Sequence, residues 1–182
     1  MGGKKGRNSL KFSLSSSYDE NEYYFEGEMD GIEHPTVTPK SENQKNYNRA
    51  LYSISKQMVF AIGPAGTGKT MLACYAAIAG YADKTFKKIV LTRPVVSVEE
   101  DIGYLPGTLE EKMDPWTRPI MDVFGEFYSQ NDIQYMMKEK IIEICPLAYM
   151  RGRTFKNAVV IADEMQNSTP NQMKMLLTRV GE

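Results

Sequence analysis

The sequence predicts an α/β protein whose mostly parallel, doubly wound sheet carries helices on both faces. Three observations predict it. Short apolar runs suited to buried strands alternate with stretches of helical spacing. The glycine-rich octapeptide GPAGTGKT, Gly63–Thr70, stands between an apolar run and a helical pattern. An acidic pair, Asp163-Glu164, closes a later apolar run, VVIADE.

The elements follow in chain order. Residues 1–40 are basic, then Ser-rich, then acidic with tyrosines, with few aliphatic residues and no helical or strand period. Such a composition buries too little apolar surface to offset its ordering entropy, so a disordered or peripheral tail is expected there, with one folded domain over 41–182. ENQKNYNRALYSI suggests a short amphipathic helix, and QMVFAIG a buried strand running into the glycine turn. KTMLACYAAIAG, apolar on nearly all sides, is a buried helix expected to stop at Gly80. KKIVLTRP is a strand that Pro94 ends, followed by an irregular stretch. PWTRPIMDVFGEFY then places Trp116, Ile120, Phe124 and Phe127 at helical spacing, with Trp116 read as core or interface rather than a base-stacking platform. IIEICPL and NAVVIADE fit parallel strands covered on both faces. TPNQMKMLLTRVG opens a last helix with Thr169 as N-cap, Pro170 at N1 and Gln172 at N3.

Composition narrows the chemistry. The formal net charge of the 182 residues is -1, so any nucleic-acid surface must be local. Cys74 and Cys145 sit in apolar surroundings without CxxC spacing, which argues against a disulfide framework or zinc cluster and suits a reducing cytoplasm. The single histidine, His34, excludes histidine-rich metal sites and disfavours a Ser/His/Asp or Cys/His arrangement. No apolar run is long enough to suggest a membrane span.

Gly63, Gly68, Lys69 and Thr70 satisfy GxxxxGK[ST] in the strand-to-helix setting that a P-loop needs, with Pro64, Ala65, Gly66 and Thr67 completing the cradle. The glycines let backbone N–H groups curl around phosphates, and the helix N-terminus adds partial positive charge. Lys69 is placed to reach the β and γ phosphates of ATP, and Thr70 to offer a hydroxyl to Mg²⁺. Asp163 stands where a second metal-side group belongs, and Glu164 where a residue orienting and deprotonating the attacking water belongs. Gln44, a short helix and strand upstream of the loop, is a candidate for reading adenine, since its amide both donates and accepts.

Together these residues resemble the PhoH-like family of phosphate-starvation-inducible P-loop ATPases of bacteria and bacteriophages. The resemblance runs through GPAGTGKT, IVLTRPVV, IGYLPGTLEEKMDPWTRPIMD, CPLAYMRGRTF and VVIADEMQNSTPNQMKMLLTRVG. It implies an ATPase core like that of superfamily-1 helicases, a ring-like homo-oligomer with a hexamer among the ring sizes, and a link to RNA or single-stranded nucleic acid, with a nuclease as a candidate partner. By the same likeness Gln44 is the adenine reader, and Thr92-Arg93-Pro94 falls where such proteins touch nucleic-acid backbone. Gln166 would link the γ-phosphate to that surface.

Arg93 is expected at phosphate. For Arg151 and Arg153, in AYMRGRT, three roles stay open: contact with RNA backbone, an arginine finger for a neighbouring subunit, or a structural pair for Asp163 or Glu164. Two departures from the family pattern accompany the resemblance: longer bacterial members carry an N-terminal domain, and the family continues past TRVGE to a strand with a Gly-Asp…Gln motif. The domain is therefore expected to be C-terminally incomplete. Two rival readings of function are a nucleotide-binding module without turnover and a P-loop kinase acting on a small acceptor.

Overall fold

The computed structural model describes residues 37–94 and 109–181, and the side chains of all of these but 109–116. Nearly all of the expected tail, the irregular stretch after Pro94 and the Trp116 side chain fall outside that set.

Ser41 starts helix α1 (Glu42–Leu51), its hydroxyl accepting the Gln44 N–H at 3.2 Å. The phosphate loop leads into α2 (Lys69–Ala82), and strand β1 (Lys88–Thr92) follows. Helix α3 (Leu109–Phe124) and helix α4 (Gln130–Lys138) bridge to β2 (Ile142–Ile144). A 3₁₀ turn at Leu147–Met150 precedes β3 (Ala158–Ala162), and a second, Met165–Asn167, leads to α5 (Pro170–Leu177). Thr169 and Gln172 form the expected capping box on α5.

Among the described residues three strands run parallel in the order β2-β1-β3, with Ile89 opposite both Ile142 and Val159. β1 is central, and its apolar residues Ile89, Val90 and Leu91 are buried, with both faces covered. On one face Ile89, Leu91, Ile142 and Ile161 pack with Cys74 and Ile78 of α2, Ile120 and Phe124 of α3, and Ile133 and Met136 of α4. On the other, Val90 packs with Cys145, Leu147, Met150, Phe155 and Leu176 of α5. The chain is thus α/β with a small parallel sheet and helices on both sides.

Three local expectations are corrected. Gln57–Gly63 forms no strand: it has no ladder partner among the described residues, Phe60 is 64 % exposed and Ile62 96 %. An apolar run supplies the side chains for a strand, but the strand itself exists only where a neighbour takes its backbone hydrogen bonds. Helix α2 continues past Gly80 to Ala82, because the glycine serves packing instead: a Cβ there would meet the Phe86 ring at 2.5 Å. Helix α3 stops at Phe124, so Phe127 lies beyond it in a turn, edge-on to Tyr75 with ring centroids 5.3 Å apart. Sequence reading also passed over α4, although Ser129 and Asp132 write a reciprocal capping box before it.

Candidate nucleotide site

The site lies at the carboxyl ends of the parallel strands, where open α/β sheets place their ligands. Gly66 and Gly68 hold left-handed backbone, with φ of 75° and 81°, and this turns the loop into the first turn of α2. The Lys69 ammonium lies inside the loop and donates to the carbonyls of Gly63 at 2.9 Å and Pro64 at 2.6 Å. Thr67 braces the same turn, its hydroxyl donating to the Pro64 carbonyl at 2.9 Å. Ala65 and Gly66 sit at the exposed tip, and a Cβ added at Gly66 would meet nothing within 4 Å.

Across the site the Thr70 hydroxyl donates to an Asp163 carboxylate oxygen at 2.8 Å, although 93 positions separate the two residues. The sheet sets that meeting: the Asp163 N–H donates to the Thr92 carbonyl at 2.9 Å, which fixes the end of β3 beside the end of β1. Glu164 takes a left-handed backbone, φ 53°, and its carboxylate accepts from the Gln166 side-chain amide. The predicted quartet of Lys69, Thr70, Asp163 and Glu164 is therefore drawn to one end of the sheet from two distant segments. Among the described residues no three His, Cys, Asp or Glu side chains converge as a protein-only metal cage. Thr70 and Asp163 fit a magnesium ion that keeps water and phosphate oxygens as most of its ligands.

Helix α1 closes the other side of the loop. Gln44 donates its amide to the Thr67 carbonyl at 3.1 Å, and its amide oxygen accepts the Lys40 N–H. Three residues on, one helical turn along the same face, Tyr47 donates its hydroxyl to the Lys69 carbonyl at 3.3 Å. Burial first, then the nearby Cys74 and Asp163, push the Tyr47 phenol up to about 12, so it stays a neutral donor. Tyr47 was missed in the sequence, where the only signal is its spacing from Gln44. Burial, then Asp163, likewise pushes the Cys74 thiol up to about 12, which marks it as a packing residue.

A PhoH-like protein family model matches residues 36–182. The chain belongs to the PhoH-like family. Curated relatives include the PhoH-like proteins of Mycobacterium tuberculosis (strain ATCC 25618 / H37Rv) and Bacillus subtilis (strain 168), each 48 % identical over 146 residues. Protein PhoH of Escherichia coli (strain K12) is 46 % identical over 148 residues. Each match covers 80 % of this chain, and 41 %, 45 % and 41 % respectively of the relative. The chain thus spans less than half the length of these relatives.

The arginines of the PhoH-like chain divide. Arg93 follows the last residue of β1 and is half-buried, while Arg151 is exposed beside Gly152, whose φ is 79°. Arg153 is held within the chain: its guanidinium donates to a Glu143 carboxylate oxygen at 2.5 Å and lies 4.7 Å from the centroid of the Phe155 ring. Its partner is Glu143 of β2 rather than Asp163 or Glu164. The Arg153 hydrogen bond, more than that from Lys88, holds the Glu143 carboxyl below the usual glutamate range despite burial. No helix among the described residues is long and apolar enough to cross a membrane.

Proposed function

We propose that this chain binds ATP in the loop Gly63–Thr70 and hydrolyses it with Mg²⁺, in a superfamily-1-like core. The observation that carries the reading is the Thr70–Asp163 contact, with Glu164 next in the chain. Backbone N–H groups of the loop and the start of α2 would surround the phosphates, and Lys69 would turn from its loop carbonyls to the transferring group. Thr70 and Asp163 would hold the metal, which neutralises charge developing on the phosphate oxygens. Glu164 would accept a proton from the attacking water, with Gln166 steadying its carboxylate. Gln44 would exchange its contact with Thr67 for adenine.

RNA or another single-stranded nucleic acid is the proposed effector, with Arg93 and Arg151 as its phosphate contacts. Arg151 is also open to serving as an arginine finger for the neighbouring subunit of a ring, a hexamer among the sizes. The same reading places the protein in the cytoplasm, with a nuclease as a candidate partner, and takes residues 41–182 as the ATPase domain and 1–40 as its tail. The deciding experiment is phosphate release from Mg-ATP, with and without single-stranded RNA. Glu164→Gln is expected to keep nucleotide binding and lower turnover by on the order of 10²–10³-fold, whereas Lys69→Ala should lose productive binding. Equal turnover in wild type and both variants would remove the proposed site.

A further inference from the structure

The three strands share an amino edge, at the opposite end of the sheet from the nucleotide loop. Four non-glycine residues hold left-handed backbone among the described residues, and three of them, Lys84, Lys140 and Asn157, stand in the turns that enter β1, β2 and β3. Helices α2 and α4 end alike. The Thr85 N–H donates to the Gly80 carbonyl at 2.9 Å and the Ile141 N–H to the Met136 carbonyl at 2.8 Å, with the left-handed lysine just before each donor. Glycine is the usual occupant of that position, because a Cβ there costs folding energy.

The register gathers the lysines. Ile89 lies opposite Ile142, so Lys87 and Lys140 stand two positions before that pair on adjacent chains of the edge. Lys88 lies opposite Ala158, which puts Lys156 two positions before the same edge. Lys84, Lys87, Lys138, Lys140 and Lys156 are all exposed, whereas Lys88 is paired with Glu143 at 3.2 Å. Tyr135, 61 % exposed, stands one turn before Lys138 on α4. It also neighbours Tyr81 in the last turn of α2, whose phenol is pushed up by burial first and then by Tyr135. A lysine at a helix C-terminus complements the helix dipole, but the ends of α2 and α4 together bring only about one negative charge. Asp83 and Glu139, in the same turns, leave the five lysines still in excess.

We propose that this amino edge is a second surface for single-stranded nucleic acid, with the lysines on successive phosphates and Tyr135 beneath a base. It is separate from Arg93 and the nucleotide loop, which lie at the carboxyl ends of the strands, and it does not rest on ATP hydrolysis. Lysines track a phosphate backbone whatever its sequence, and an exposed ring among them stacks an unpaired base. An acidic peptide would use the charge but offers nothing to stack on the ring.

The test uses the full 182-residue chain without nucleotide. Fluorescence anisotropy follows labelled oligouridine and oligothymidine of about twelve residues, between about 50 and 200 mM salt. Lys84→Gly with Lys140→Gly should weaken binding about tenfold and lower the slope of log affinity against log salt by about 1.4. Its melting temperature should be no lower than wild type, since glycine suits both turns. Lys87→Gln with Lys138→Gln, which touches neither left-handed position, should give a similar loss of affinity and slope. Tyr135→Ala should weaken binding about tenfold with the slope unchanged, and Tyr135→Phe should retain affinity. Bound oligonucleotide should shield Lys84 and Lys140 from acetylation and leave Lys56 and Lys174 reactive. Tighter binding of one oligonucleotide supports the proposal and names the preferred sugar. No binding by wild type, or unchanged affinity in both lysine pairs, overturns it. A lowered melting temperature with unchanged affinity in the glycine pair would assign those lysines to the helix ends alone. Reactive lysines, with binding lost in Arg93→Gln with Arg151→Gln, overturn it in favour of the carboxyl-end contacts. Equal binding to polyglutamate or to phosphatidylglycerol vesicles, insensitive to Tyr135→Ala, overturns it in favour of unspecific anion attraction.

Discussion

Arg153 shows how much of a residue's role is decided by what the fold brings to it. In the sequence it stands two positions from Arg151 and reads as its twin; in the structure it bonds Glu143, lies against Phe155 and donates to Cys145 at 3.3 Å, whereas Arg151 is exposed. Glu143 titrates lower when folded than when unfolded, so its contribution is present above the ordinary glutamate range. That contribution is lost as pH falls through the lowered folded value. Glu143→Gln should therefore flatten the pH dependence of unfolding in the acid limb, below about pH 4.5, in denaturant titrations from pH 2 to 7. Arg153→Met should lower stability by roughly 1–3 kcal/mol and leave the proposed RNA stimulation of phosphate release intact. Arg151→Ala should do the reverse, with stability within about 0.5 kcal/mol of wild type and RNA stimulation reduced.

At the scale of elements, packing overrode punctuation. Gly80 carries the signal of a helix end, yet α2 runs through it because Phe86 needs the space. Gly80→Ala gains helix propensity of up to about 1 kcal/mol but drives a methyl into the ring. The expected net result is destabilisation of about 1–2 kcal/mol, read as a lower midpoint in thermal unfolding, and Phe86→Leu in the same chain should recover part of it. Helix α1 was legible as a helix, but its role was not, because Gln44 and Tyr47 meet the loop only once α1 folds beside α2. Tyr47→Phe, which removes one hydrogen bond to the first residue of α2, should weaken nucleotide binding a few-fold, about 1 kcal/mol, by titration calorimetry. The loop motif itself was legible because glycines at left-handed positions and a lysine at the helix start are local requirements. The Thr70–Asp163 meeting was legible only as an expectation, since it depends on β1 and β3 aligning in register.

For the molecule as a whole, the alternation of apolar runs and helical patterns correctly announced a parallel sheet with helices on both faces. What it misjudged was membership: QMVFAIG has the composition of a central strand and, among the described residues, none of the pairing. The cause is non-local, because a ladder is a property of two segments. Phe60 and Ile62, 64 % and 96 % exposed, and Ile54 before them, 97 % exposed, consequently leave apolar side chains open in the stretch ahead of the nucleotide loop. Ile54→Ser with Phe60→Ser should lower self-association in light scattering and change unfolding stability by less than about 1 kcal/mol.

The left-handed backbone of Glu164 sets a residue proposed for catalysis against the rest of the protein. A non-glycine residue in that conformation costs roughly 1–2 kcal/mol, and the unfolded chain would take back part of any relief that glycine gave. Glu164→Gly is therefore expected to leave the melting temperature unchanged or raise it, by up to about 1 kcal/mol of added stability, while abolishing turnover. A random screen for thermostable variants of this protein would tend to select against the proposed catalytic acid at that position. The sequence keeps an acid where folding alone would prefer none.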